Sequence, residues 1–372
     1  GFYLSEGGYY FALNDYFDLT LKGNIYSNGS WLATAQSTYN RLYKYNGNFS
    51  FSYAKNISGH VGLEDYNKAT NYRLGWIFNQ DAKASPGSRF SASVNLSSSG
   101  YERENSYVVQ EHITTQKQSS ISYSKTWDRS PFNLSASMNH SQNNKNQTVS
   151  LNIPKVNFSA NRITPFKSRN SSGTAKWYEE IQLQYTAALD NQVSTTEDKL
   201  FTGQVWKDMR SGFRHEAPLS LQFRPFRNFS ISPSLSYAGV AYTQKIEKTW
   251  DPNYYNPDIN EVVGTVIKDT IRGLFYGQAL NPSISASFNP QIFGEFTPIN
   301  ANSRIQKIRH VMKPSVGFSY IPYFKGLSSD MYRQVQVDTT GNRYEEYSIF
   351  EGGIFGTPAL SQKSGNVSFS LV

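Results

Sequence analysis

Apolar and polar residues alternate at every second position through most of this chain, and the stretch 148–166 shows the rule in one place. Val149, Leu151 and Ile153 alternate with Ser150 and Asn152; beyond Pro154, Val156, Phe158 and Ala160 alternate with Lys155, Asn157, Ser159 and Asn161. A period of two belongs to a strand, because successive side chains point to opposite faces. The apolar parity flips at Pro154. A proline has no N–H for a ladder and one extra residue swaps the faces, so the pattern predicts two strand segments joined by a bulge or bend.

The same alternation recurs along the chain. Phe17, Leu19, Leu21 and Ile25 stand against Asp18, Thr20, Lys22 and Asn24; Phe49, Phe51 and Tyr53 against Asn48, Ser50 and Ser52; Phe90, Ala92, Val94 and Leu96 against four Ser and Asn positions. Further runs centre on Tyr72–Phe78, Ile121–Tyr123, Phe132–Met138, Ile181–Tyr185, Leu219–Phe223, Phe229–Tyr237, Ile284–Phe288, Val316–Tyr320 and Val367–Leu371. Together they predict about 16 antiparallel strands in series, a meander that needs no crossover helix. Tight turns are expected at Asn14-Asp15, Tyr43 to Tyr45, Gln80 to Ser88, Asp128 to Pro131 and the segment RPFRN at 224–228. Long polar connections are expected at 55–71, 100–118, 190–212, around TWDPNYYNPD, and at 325–346. Short and long connections alternate, as they do between the two rims of a membrane barrel. That parity places Gly1 near the extracellular rim and implies at least one strand upstream.

Composition decides which face is wet. Only 38% of the 372 residues are hydrophobic, yet 15% are aromatic, with 26 Tyr and 24 Phe, which excludes a disordered chain. No run approaches the 18 or so apolar residues of a spanning helix. Membrane strands show lipid only every second side chain, so low hydropathy is compatible with a barrel. Ring residues near strand ends, such as Trp31, Tyr72, Trp76, Phe78, Trp127, Phe132 and Tyr237, suit the headgroup layer. A soluble β-sandwich or solenoid also buries rings, but a 16-strand meander with serine-rich opposite faces offers no second layer to cover them. The absence of Cys removes disulfides and thiolate zinc sites. The formal charge of +8 suits anionic partners such as lipid phosphates, but Lys and Arg are scattered. No nucleic-acid partner is expected.

Enzymatic signals are weak. His60, His112, His140, His215 and His310 fall in unrelated segments without ligand spacing, and no nucleophile elbow, P-loop or dinucleotide fingerprint has a suitable context. Neither catalysis, a metal nor a cofactor is expected.

Several ordered blocks resemble a known family. IPKVNFSANRITPF, NQDAKASPGSRFSASVN (79–95), GFRHEAPLSLQFRPFRNFSISPSLSY (212–237), IRHVMKPSVGFSYIP (308–322) and SIFEGGIFG (348–356) resemble the LPS-assembly outer-membrane proteins of the LptD type, in particular a Bacteroidetes-like branch. The opening GFYLSEGGYYFALNDYFDLTLKGNIYSNGSW is similar to the start of that family's barrel. The resemblance implies a barrel of about 26 strands, of which 1–372 is one segment, without the N-terminal periplasmic domain and the C-terminal strands. It implies lipopolysaccharide as cargo, outer-membrane lipids as surroundings, and a plug lipoprotein and periplasmic LPS-bridge proteins as partners. Release would run through a lateral gate between the first and last strands. The cysteines of some members' maturation disulfides are missing here.

On this reading the lumen-lining candidates for the substrate path are Lys22, Arg73, Asn95, Asn152, Lys155, Asn157, Gln182, Gln184, Arg224 and Lys313. Hydroxyl and amide groups offer a sugar chain exchangeable partners, and a few cations could hold phosphates. Pro154, Pro233 and Pro314 are expected to mark strand bulges. The other readings are a self-contained porin-like channel of 16 strands and a secreted carbohydrate-binding β-protein.

Overall fold

The computed structural model describes residues 2–106, 116–167, 176–258, 260–297, 307–326, 328 and 330–372. His112 lies outside them. The chain falls into two compact units, one holding 1–158 and 188–211, the other 159–187 and 212–372. No helix among the described residues is long and apolar enough to cross a membrane.

The first unit is built on β1 (Tyr3–Asn14), β2 (Phe17–Tyr26), β3 (Trp31–Arg41), β4 (Tyr45–Ser58), β5 (Asn67–Gln80), β6 (Ser88–Ser97), β7 (Gln116–Thr126) and β8 (Phe132–Asn143), with most of β9 (Thr148–Ile163) and the end of β10 (Gln182–Thr196). Two short helices, α1 (Tyr101–Asn105) and α2 (Gln204–Asp208), lie in its connections. The turns follow local chemistry. Asn14 Oδ1 accepts from the Tyr16 and Phe17 N–H groups at 2.8 and 3.0 Å, an Asx turn that reverses β1 into β2. Tyr43 and Arg129 take positive φ in the reversals after β3 and β7.

The second unit carries β11 (Arg210–Ser220), β12 (Phe223–Phe226), β13 (Phe229–Asp251), β14 (Tyr255–Asn256), β15 (Glu261–Val262), β16 (Thr265–Phe288), β17 (Ile292–Phe296), β18 (Ile308–Met312), β19 (Pro314–Ile321), β20 (Tyr332–Gln336), β21 (Tyr344–Ser348) and β22 (Ser364–Leu371). One 16-stranded sheet follows chain order, β1 through β11 and then β13, β16, β19 and β22, with β12 beside β13; three separate hairpins pair β14 with β15, β17 with β18, and β20 with β21. The predicted all-β meander and its strand count are both present.

The differences lie at strand ends and in the connections. Strands β4 and β5 extend to Ser58 and from Asn67, through most of the expected 55–71 loop, because backbone pairing continues after side-chain alternation stops. Strands β13 and β16 run 23 and 24 residues, so the expected loop after Tyr237 is a long paired ribbon. The 325–346 connection contains the β20–β21 hairpin. The connection between β16 and β19 carries the β17–β18 hairpin at the end where Asn289 N–H bonds Asn228 O, so one long connection sits beside a short turn.

The proline expectations are also refined. Strand β9 runs unbroken through Pro154. Pro233 keeps register with Ile284 on one side and marks a gap between the β11 and β12 ladders on the other. Pro314 opens β19 opposite Leu371. At Pro314 the missing N–H falls at the end of a ladder, where it costs no bond; at Pro233 it removes one bond of the rung opposite Leu221, whose own N–H still bonds Pro233 O at 3.1 Å, and the register runs on with no extra residue inserted.

Candidate functional site

Within each unit, strand register turns the alternation into two surfaces. Residues directly opposite in a ladder share a face. Across β2 to β6, Lys22 faces Thr34, Thr34 faces Ser52, Ser52 faces Arg73, and Arg73 faces Ser97, a polar row five strands wide. One residue along, Tyr9, Leu21, Ala35, Phe51, Leu74 and Leu96 form the matching apolar row. Their accessibilities are inverted relative to a water-soluble fold: Leu21 and Phe51 are 42% and 40% exposed, while Ser52 and Ser97 are 8% and 1% exposed. In the second unit Phe229, Phe288, Val316 and Phe369 align on one face, and Ser232, Ser285, Ser319 and Asn366 on the other. Hydroxyls pair across strands at 2.8 Å for Ser230–Ser287, 2.6 Å for Ser234–Ser283 and 2.9 Å for Ser315–Ser370.

Rings band the apolar face at both ends. Near the short turns Phe17, Tyr39, Tyr45, Phe78 and Phe90 form a chain of contacts 5.3 to 6.2 Å between centroids. There the Tyr39 hydroxyl donates to Ile77 O at 2.6 Å and accepts from Trp76 Nε1 at 2.8 Å. At the other end Trp31 packs on Tyr53 at 5.7 Å, and Lys55 follows. Tyr45 to Lys55 is roughly 34 Å along the strand, or about 26 Å of height at a tilt of about 40°, which matches the apolar band of a membrane barrel.

The family model for LptD protein matches residues 1–372 without interruption. The chain belongs to the LptD protein family. No individual curated protein matches it in sequence. Among solved structures it is similar to a double mutant of the Serratia marcescens haemophore receptor HasR, in complex with its haemophore HasA and haem, at 8% identity and a TM-score of 0.25. That likeness covers 99% of this chain and 59% of the receptor's, so the chain spans less than two thirds of that protein's length.

In this LptD-family chain the ten polar candidates do not converge on one point. Lys22 and Arg73 share the five-strand row, and Asn95 lies one position further on, opposite Gly75. Asn152 lines a polar hollow of about 370 Å³ with Ser93, Ser120, Asn139 and Ser150. Lys155 Nζ lies 3.6 Å from the buried Asp190 carboxylate, and the Asn157 amide donates to Ser135 Oγ. Gln182 and Arg224 share a cleft in the second unit with Lys167, Trp177 and Glu179, while Gln184 is exposed on β10. Arg224 sits on the short strand β12 rather than in a turn, and Lys313 on the connection between β18 and β19, where its backbone pairs with Val372.

The polar face also carries structure that alternation did not reveal. In the first unit α1 packs against β4 and β5, with Glu104 accepting from Asn71 at 2.6 Å. Glu102 binds Ser97 Oγ at 3.1 and 3.2 Å and the buried Lys117 ammonium at 2.6 Å. In the second unit Val240, Tyr242 and Ala279 continue the serine parity as an apolar patch, covered by Met331 and Phe350. The Tyr242 hydroxyl donates to Gly356 O at 2.8 Å and accepts from Phe355 N–H at 3.0 Å. Glu351 is clamped between Lys248 and Lys268 at 2.6 and 3.1 Å, and the hydrogen bond from Lys248, then that from Lys268, hold its carboxyl below the usual range. The hairpin β20–β21 and the SIFEGGIFG segment thus form a cap on β13 and β16. A signal existed: apolar residues where serines are expected, and an apolar run inside a supposed loop.

Proposed function

We propose that this chain is wall of an outer-membrane barrel that passes lipopolysaccharide into the outer leaflet. The observation that carries this reading is the register, which puts bare rings and aliphatics on one face and hydroxyls and amides on the other. A bare apolar face two girdles tall is stable only against hydrocarbon, since each exposed Å² costs about 25 cal/mol in water. The family, one of outer-membrane LPS assembly, supplies the cargo. On this reading 1–372 is one segment of a barrel of about 26 strands, and the lateral gate, plug lipoprotein and periplasmic bridge belong to the complete assembly.

The polar face suits such a cargo. Cross-strand hydroxyl pairs can exchange partners with sugar hydroxyls at little net cost, because each bond broken is replaced by a similar one. Lys22, Arg73 and Lys155 supply cations for phosphate groups, and Lys155 is already held by Asp190, which keeps it in place without making it a tight trap. Conduction needs binding that is weak and repeated.

The test is photo-crosslinking in the full-length protein in cells, with p-benzoylphenylalanine at Asn152, Asn157 or Gln184, and at Tyr45 in the girdle near the short turns as control. Lipopolysaccharide adducts at the polar positions and none at Tyr45 are expected. Solute flux through the protein without adducts at any polar position would make it a porin-like channel instead.

A further inference from the structure

Past the rung that joins Gly212 to Tyr242, where the ladder between β11 and β13 stops, β13 and β16 run on as a two-stranded ribbon. On that ribbon Lys248 and Lys268 stand directly opposite each other. Like charges so placed repel. The neighbouring rung, Glu247 opposite Asp269, points to the other side because the side-chain period is two. The nearest rungs on the lysine side hold Ile246 with Thr270 and Trp250 with Val266. No carboxylate in these rungs answers the two ammonium groups from their own side.

The cap supplies the anion. Glu351 Oε2 lies 2.6 Å from Lys248 Nζ and Oε1 lies 3.1 Å from Lys268 Nζ, so one carboxylate spans the pair. Around it the cap is seated by other means: Ile246 N–H donates to Ile349 O at 2.7 Å, Lys248 N–H donates to the Tyr347 hydroxyl at 3.1 Å, and Met331 and Phe350 are buried with Val240 and Tyr242. The Lys248 ammonium also lies 5.2 Å from the centre of the Tyr347 ring, a contact that holds it in place without Glu351. The carboxylate itself is at a rim, with the Glu351 side chain 40% and the Lys268 side chain 47% exposed. Rotation about its own side-chain bonds takes it into water while the apolar seat stays.

Two ammonium groups facing one partner are matched better by a phosphomonoester, with three strong acceptor oxygens and a charge of about −1.5 to −2, than by a carboxylate with two oxygens and a single charge. We propose that Lys248 and Lys268 form an exchangeable phosphate site, filled by Glu351 while the cap is seated, and that a phosphate group of the cargo displaces Glu351 and loosens the cap. That the phosphate is the cargo's rests on the export reading; the site itself does not. Glu351 is then a competitor tethered beside the site, so the cap stays closed over an empty polar face and loosens when phosphorylated cargo arrives. Coupling of this kind is reciprocal: whatever removes Glu351 from the lysines must tighten phosphate binding.

The experiment uses the full-length protein in dodecyl maltoside, which contains no phosphorus, and follows inorganic phosphate by phosphorus NMR line broadening at constant ionic strength set with sodium chloride. Glu351→Gln should bind phosphate about tenfold more tightly than the wild type, the worth of two half-exposed ion pairs. Lys268→Gln and Lys248→Gln should each abolish the broadening. In the wild type, saturating phosphate should speed hydrogen exchange at the Glu351 and Gly353 amides, which bond Ser348 O and Phe350 O, and sodium chloride alone should not. A merely structural role for Glu351 would loosen the cap in Glu351→Gln and leave phosphate affinity unchanged. Folding of each variant is checked by heat-modifiable gel mobility. No phosphate binding in Glu351→Gln, equal affinity in wild type and Glu351→Gln, or binding that survives both lysine substitutions overturns the site. Lipopolysaccharide should displace phosphate from Glu351→Gln; if phosphate binds and lipopolysaccharide does not displace it, the site takes free phosphate and its link to the cargo is overturned. The export reading is judged separately, by the crosslinks at Asn152, Asn157 and Gln184.

Discussion

Replacing Lys117 by Met isolates the energetics of the buried pair on which α1 is docked. Lys117 Nζ and Glu102 Oε2 are 2.6 Å apart with side chains 3% and 8% exposed. Met removes the cation and keeps the chain length, leaving Glu102 with Ser97 as its one remaining side-chain partner among the described residues. An uncompensated buried charge costs about 3–5 kcal/mol, and each 1.4 kcal/mol is a factor of ten, so docking of α1 should weaken by roughly 10²–10⁴. The readout is hydrogen exchange in the full-length protein at the Glu104 and Ser106 amides, which bond Gly100 O and Glu102 O. The double variant Lys117→Met with Glu102→Leu removes both charges and should recover most of the protection, since a buried pair is often replaceable by apolar groups. Exchange changed less than about threefold in the single variant, or no recovery in the double, would refute the argument that the pair holds α1.

Three further outcomes are expected. A Cβ at Gly277 would lie 2.4 Å from a Phe350 ring carbon and 2.7 Å from Met331 Sδ, so Gly277→Val should lift the 331–361 cap and expose it to limited proteolysis, while Met331→Ala should loosen it by about 2–5 kcal/mol. The Glu351 carboxyl is held below its usual range by Lys248 and Lys268, so its contribution to docking is complete above the ordinary carboxylate pKa and is lost as pH falls through the lowered value; Glu351→Gln should abolish this acid dependence of cap proteolysis. Tyr39→Phe leaves Trp76 Nε1 without its acceptor and Ile77 O without its side-chain donor, so thermal inactivation should come earlier by the equivalent of about 1–3 kcal/mol, read by gel mobility on heating.

Much of the wall was legible in the residues alone. A strand's period of two is a local property, so Phe49, Phe51 and Tyr53 had to share a face whatever their neighbours were, and Asn14 could close its own turn. The serines opposite and the rings at strand ends then set the expectation of which side would meet hydrocarbon. What alternation could not carry was everything that depends on contact between distant positions. Register decides that Arg73 meets Ser52 and Ser97. Val240, Tyr242 and Ala279 break the serine parity, but only folding shows that Met331 and Phe350 cover them. Lys117 is a scattered cation in sequence and half of a buried pair in space, and His140 has no ligand spacing yet lines one cavity with Glu197. Side chains along a strand are related by a dihedral angle repeated at each step. Partners dozens of residues apart are related only by where the loops bring them, and that is settled when the whole sheet closes its ladders.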